Sequence, residues 1–150
     1  MVSNNYSKKQ KPIINDTDIH QSTELLKKLE ADVYFVDDES LIVEIASIAL
    51  ETANIRVKTF QNPKSALDSF SNENTKPSVL ITDYVMKPLN GIELIKECKR
   101  IQPNLKTILI SGNVGPEIMN QTDIKPERFI SKPFKSNTLI ETVYELMKNK

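Results

Sequence analysis

Cysteine is almost missing: Cys98 stands alone in 150 residues, which excludes an intramolecular disulfide and a cysteine-based zinc site and fits a reducing cytoplasm. Histidine is as scarce, with His20 the only one, so no imidazole cluster can hold a transition metal. No sign of charge dominates, since 20 Lys and Arg face 20 Asp and Glu. That balance argues against non-specific binding to nucleic acid or to an anionic membrane. Long apolar runs are absent too: the most hydrophobic stretch, Leu41 to Leu50, is broken by Glu44 and is far too short to span a bilayer. Residues 1–10 are polar and lack the apolar region of a signal peptide. Glycine occurs only at Gly91, Gly112 and Gly115, which concentrates close backbone approach at those places.

What remains is the composition of one ordinary globular domain. Residues 1–30 read as an N-terminal extension, polar and largely mobile, with Leu25, Leu26 and Leu29 predicting a short amphipathic helix over 22–30. Residues 31–150 read as the domain proper. Val33-Tyr34-Phe35-Val36 and Val79-Leu80-Ile81 are continuous apolar runs, as strands buried on both faces require. Ile108-Leu109-Ile110 and Phe129-Ile130 repeat the pattern, and Ile55, Val57 and Thr59 alternate as a half-exposed strand does. Helical spacing connects them: Leu41, Ile42, Ile45, Ile48 and Ala49; then Ala66, Leu67 and Phe70 after an Asn62-Pro63 cap. Ile92, Ile95, Cys98 and Ile101 follow an Asn90-x-x-Glu93 capping box, Pro116 opens a short helix through Met119, and Leu139, Ile140, Val143, Leu146 and Met147 close the chain. Five strands alternating with five helices imply a parallel sheet with right-handed crossovers and helices on both faces. The fold class is therefore α/β, a doubly wound (βα)5 three-layer sandwich, and the flavodoxin-like sheet order 2-1-3-4-5 is expected, which would make strands one and three neighbours.

Ligands bind such sheets outside the carboxyl ends of the strands. Those ends carry Asp37 and Asp38, Asp83, Ser111 and Lys132. Asp caps helices often enough to explain any one of the aspartates, but it explains the set poorly. Three carboxylates in one small space repel each other unless a cation intervenes, and all-oxygen ligation favours Mg²⁺. Mg²⁺ keeps open positions for a phosphoryl oxygen; Lys132 and Ser111 can bind further phosphoryl oxygens, and Asp83 can act as the nucleophile that accepts the group.

On Asp37-Asp38, Asp83 followed by Met86 and Gly91, Ser111-Gly112 and Lys132-Pro133-Phe134, the sequence over residues 31–148 resembles the receiver domain of two-component response regulators. The resemblance implies a phosphorylation-dependent signalling switch in the cytoplasm that is not a free-standing enzyme. A histidine kinase or phosphotransfer protein would donate a phosphoryl group to Asp83. Mg²⁺ would be held by Asp37, Asp38, Asp83 and the backbone carbonyl of Val85. Ser111 and Lys132 would bind the phosphoryl group, Ser111 and Phe129 would form the switch, and the bond before Pro133 would be cis. The downstream protein target would read the surface of the fourth helix, last strand and last helix.

One departure concerns the loop after Asp83: the family places Pro four positions on, where this chain has Lys87, with Pro88 next. Lys87 then either approaches the phosphorylation site or is a solvated loop residue. Apolar Val85 orients no attacking water, which predicts a long-lived phosphoryl state. A second reading is an aspartate-nucleophile phosphatase of the haloacid dehalogenase type, but that chemistry needs an Asp two positions after the nucleophile, where Val85 stands. A third is a receiver-like scaffold that is never phosphorylated. The chain stops shortly after the last helix, as a stand-alone receiver or one excised from a longer protein would.

Overall fold

A computed structural model describes residues 12–29 and 31–148. The predicted mobile tail lies mostly outside these. Among the described residues, a first helix α1 runs Asp16–Leu29, beginning six residues before the predicted start at Ser22 because Asn15 and Asp16 open a polar first turn. Residue 30, the predicted end of that helix, is outside the described residues.

The remaining elements alternate: β1 Val33–Val36, α2 Ser40–Thr52, β2 Val57–Phe60, α3 Pro63–Asn72, β3 Val79–Asp83, α4 Gly91–Ile101, β4 Lys106–Ser111, a 3-10 segment Pro116–Gln121, β5 Arg128–Ser131 and α5 Ser136–Lys148. All strand pairs are parallel, in the order β2-β1-β3-β4-β5. Strands β1 and β3 are buried along their whole length, as their uninterrupted apolar sequences demand. Alternate residues of β1 point to opposite layers. Val33 and Phe35 join α2 and α5 in one apolar cluster, whereas Tyr34 and Val36 join α3 and α4 in the other.

Helix caps follow the sequence signals. The Asn62 side chain accepts from the amides of Lys64 and Ser65, with Pro63 in the first turn. Asn90 accepts from the Glu93 amide and donates its own side-chain amide to Glu93 Oε1. Helix α2 differs from the expected face: it buries Val43, Ala46, Ala49 and Leu50, while Leu41, Ile45 and Ile48 are exposed. Its polar residues Ser40, Glu44, Ser47 and Glu51 form one stripe, and the apolar arc opposite is wide enough to leave Leu41, Ile45 and Ile48 outside the buried part. In α4, Leu94 takes an interior place and Ile101 is exposed. The fourth crossover contains only the 3-10 turn in place of a full helix; Ile118 and Ile124 from this connection and Phe129 pack against the α3–α4 side of the core.

Gly91 shows why a glycine begins α4. A Cβ there would meet the Asp83 carbonyl oxygen at 2.2 Å, and the Gly91 amide donates to the Tyr84 carbonyl at 2.8 Å. Helix propensity alone favours Ala over Gly by about 1 kcal/mol. The close approach reverses the sign, so Gly91→Ala is expected to lower the urea midpoint by more than about 1 kcal/mol equivalent; a midpoint that rises would show that the loop yields freely.

Candidate functional site

The parallel register delivers four chain segments to one end of the sheet. Val36 lies opposite Thr82, Asp83 opposite Ile110, and Ser111 opposite Ser131. The next residues after β1 and β5, Asp37 and Lys132, therefore emerge beside Asp83 and Ser111. The Lys132 amide donates to the Ser111 carbonyl at 2.9 Å, which extends the ladder by one rung and fixes where the lysine leaves the sheet.

Lys132 is the centre of the charge arrangement. Its Nζ lies 2.8 Å from Asp37 Oδ2, 3.3 Å from Asp83 Oδ1 and 3.4 Å from Glu39 Oε1. The contact with Asp37 is the shortest of the three, and Lys132 also hydrogen-bonds to Glu39 Oε1. Asp37 is fully buried; its Oδ1 accepts from the Glu39 amide at 2.9 Å, but its Oδ2 has no hydrogen-bond partner despite the nearby ammonium. That oxygen is held by the ion pair with Lys132 alone, and burying a carboxylate is costly. Burial pushes Asp37 above the usual carboxylate range against the opposing pull of Lys132. Burial and the Asp37 charge push Asp83 up to about 6, with Lys132 lowering it only in part. Burial also works against the charge of Lys132, but Asp37 and Asp83 outweigh it and hold the ammonium above its ordinary value.

Over this cluster opens a cavity of about 280 Å³ lined by Asp38, Glu39, Asp83, Val85, Ser111, Gly112, Asn113 and Lys132. Carboxylate oxygens of Asp37, Asp38 and Glu39 lie within 4.8 Å of one another. The orphaned Asp37 Oδ2 and this all-oxygen donor set fit a hard divalent cation such as Mg²⁺. Ser111 Oγ accepts from the Asn113 and Val114 amides, both at 3.3 Å, which leaves its own proton available to a group in the cavity.

The structure thus brings Asp37, Asp38, Asp83, Val85, Ser111 and Lys132 together. Phe129 is half-buried against the α3–α4 side of the core, one strand position from Ile130. Lys87 is exposed and is not among the cavity's lining residues. The bonds Lys87–Pro88 and Lys132–Pro133 are both cis. Glu39 was missed by sequence reasoning, although the third acid of the Asp37-Asp38-Glu39 run was the available signal.

Known proteins place this arrangement. Residues 33–144 match the response regulator receiver domain family. The response regulator receiver protein CpdR of Brucella abortus is 28% identical over 116 residues, covering 77% of this chain and 95% of that protein. The chemotaxis protein CheY of Thermotoga maritima is 29% identical over 119 residues, covering 77% and 97%. A two-component response regulator of Arabidopsis thaliana, ARR21, is 28% identical over 122 residues, which is 81% of this chain but only 20% of the plant protein. The chain thus spans nearly the whole of the two bacterial relatives and about a fifth of the plant one. Among solved structures, the receiver domain of NtrX from Brucella abortus superposes with a TM-score of 0.72 at 26% identity, covering 79% of this chain and 100% of that one. Strand order, the acidic end of the sheet and the family match over residues 33–144 agree: the chain belongs to the response regulator receiver domain family.

Proposed function

We propose that residues 31–150 form a phosphorylation-dependent switch of a two-component system, with Asp83 as phosphoacceptor and residues 1–30 as an extension outside the switch. The observation that carries this reading is the Lys132 ammonium between two buried carboxylates, one with an orphaned oxygen, at the wall of an open polar cavity. In the transfer step an Asp83 carboxylate oxygen bonds to phosphorus as the bond from phosphorus to the donor imidazole nitrogen breaks, and that nitrogen keeps the electron pair. Lys132 neutralises phosphoryl oxygens and the Ser111 hydroxyl donates to one of them. Asp37, Asp38, Asp83 and the Val85 carbonyl would hold Mg²⁺, which supplies positive charge against the phosphoryl oxygens when bound.

The donor is a histidine kinase or phosphotransfer protein. Helix α2 starts at the rim of the cavity and exposes Leu41, Ile45 and Ile48 at helical spacing, an apolar strip for the donor to rest on. Output runs through Ser111 and Phe129 to a protein target. The contacts of the phosphoryl group with Ser111 and Lys132 favour one arrangement of the β4–β5 connection over another. That connection, β5 and α5 form the surface read by the target, with the short 3-10 turn where a fourth helix was expected. Among the described residues no helix is long and apolar enough to cross a membrane, in keeping with action in the cytoplasm. The phosphatase reading is disfavoured by Val85, whose side chain offers no acid or base at the cavity wall; the scaffold reading leaves the strained charge cluster without a purpose.

With Mg²⁺ and acetyl phosphate, intact-mass analysis should show one added phosphoryl group on the parent and none on Asp83→Asn. Addition to the variant would move the site elsewhere, and none on the parent would favour the scaffold. Hydrolysis of the phosphoprotein should take minutes or longer, because Val85 positions no water; decay within seconds would contradict that. The Asp83 carboxyl also predicts a pH signature in the absence of divalent ions. Its folded value of about 6 lies above its ordinary 3.8, so the folded state holds the proton more tightly. This contribution is complete below about pH 4 and is lost as pH rises through about 6. Asp83→Asn should therefore stabilise the fold at pH 8 by about 1–3 kcal/mol, read as a higher Tm, with the gain fading towards pH 4. Mg²⁺ should stabilise the parent more than the variant, and a gain independent of pH would point to packing instead.

A further inference from the structure

Glu39 has no role in phosphoryl transfer in the scheme above, although its carboxylate lies beside those of Asp37 and Asp38; its Oε1 also accepts a hydrogen bond from Lys132 Nζ at 3.4 Å. Its position is set rather than incidental. The Glu39 amide is held by Asp37 Oδ1 at 2.9 Å, its backbone forms the N-cap of α2, and its carboxylate caps none of the helix amides. The side chain turns to the cavity wall and the lysine instead. We infer that Glu39 is a positioning residue that restrains Lys132 in the unphosphorylated state and so opposes phosphoryl occupancy of Asp83.

This inference rests on the proposed chemistry of Asp83 and Lys132. A phosphoryl group on Asp83 competes with Glu39 for the same ammonium. The restraint and the acceptance of phosphate cannot both be satisfied fully, since the ammonium carries a single charge and Asp37 already lies 2.8 Å from it. Glu39 also places a negative charge beside the incoming oxygens. Both effects stabilise the empty site relative to the filled one. The side chain is 64% exposed, so the effect is modest in size and the residue can be replaced without disturbing the core.

The beryllium trifluoride anion, which mimics a carboxylate-bound phosphoryl group, reads the balance directly. Its affinity is measured at saturating Mg²⁺ for the full chain, Glu39→Gln and Glu39→Asp, with Mg²⁺ affinity measured separately from Tm against Mg²⁺ concentration. The shorter Asp keeps the charge but falls short of Lys132. Both variants should bind the anion roughly two- to fivefold more tightly than the parent. Tightening in Gln with parent-like Asp would assign the effect to charge alone and overturn the restraint. Weaker binding in both, or a tenfold loss of Mg²⁺ affinity, would make Glu39 a supporting or ligating residue and overturn it too. A parent that takes up no beryllium trifluoride would instead sink the phosphoacceptor reading itself.

Discussion

The ammonium of Lys132 among the carboxylates of Asp37, Asp83 and Glu39 is the interaction on which the rest of the site depends. A fully buried Asp37 and a nearly buried Asp83 side by side would be untenable without a compensating charge. One lysine compensates incompletely, which is why both carboxyls stay above their ordinary range. The residual conflict is a form of stored affinity: anything that adds positive charge or accepts the excess negative charge finds the site already arranged for it.

The fold maintains this conflict because the framework beneath is stiff. Strands β1 and β3 are buried on both faces, so neither can drift to separate Asp37 from Asp83. Gly91 lets the chain return against the Asp83 carbonyl, and a polar network secures the α3 side, where the buried Tyr34 hydroxyl donates to Glu73. On the far edge Glu127 accepts from Thr107 and Lys99 and secures the start of β5. Between that anchor and Ser111 the connection has only the 3-10 segment Pro116–Gln121 as regular structure.

Much of this was legible in the sequence because buried parallel strands advertise themselves as unbroken apolar runs. The acids at the ends of Val33–Val36 and Val79–Asp83 then fall at one edge by topology alone. With the flavodoxin-like order 2-1-3-4-5 taken as the expectation, Asp37, Asp38 and Asp83 fall beside Ser111 and Lys132, as the structure has them. The inward face of α2 did not follow from the pattern, since the apolar arc opposite Ser40, Glu44, Ser47 and Glu51 is wider than the part that the sheet covers. Nor did the 3-10 turn, because Pro116 can open either kind of helix. Glu39 escaped notice for a different reason: its role lies in a contact with a residue 93 positions away, and a side-chain direction leaves no mark in local pattern.

That separation has a consequence for the order in which the molecule becomes competent. The acids are laid down early in the chain and their counter-charge arrives on the last loop, after β5. Without β5 and the residue that follows it, a sheet of the other four strands would carry Asp37, Asp38 and Asp83 with no Lys132 to offset their repulsion. Closure of the final strand therefore does more than complete a sheet: it is the event that turns a cluster of mutually hostile groups into a receptor.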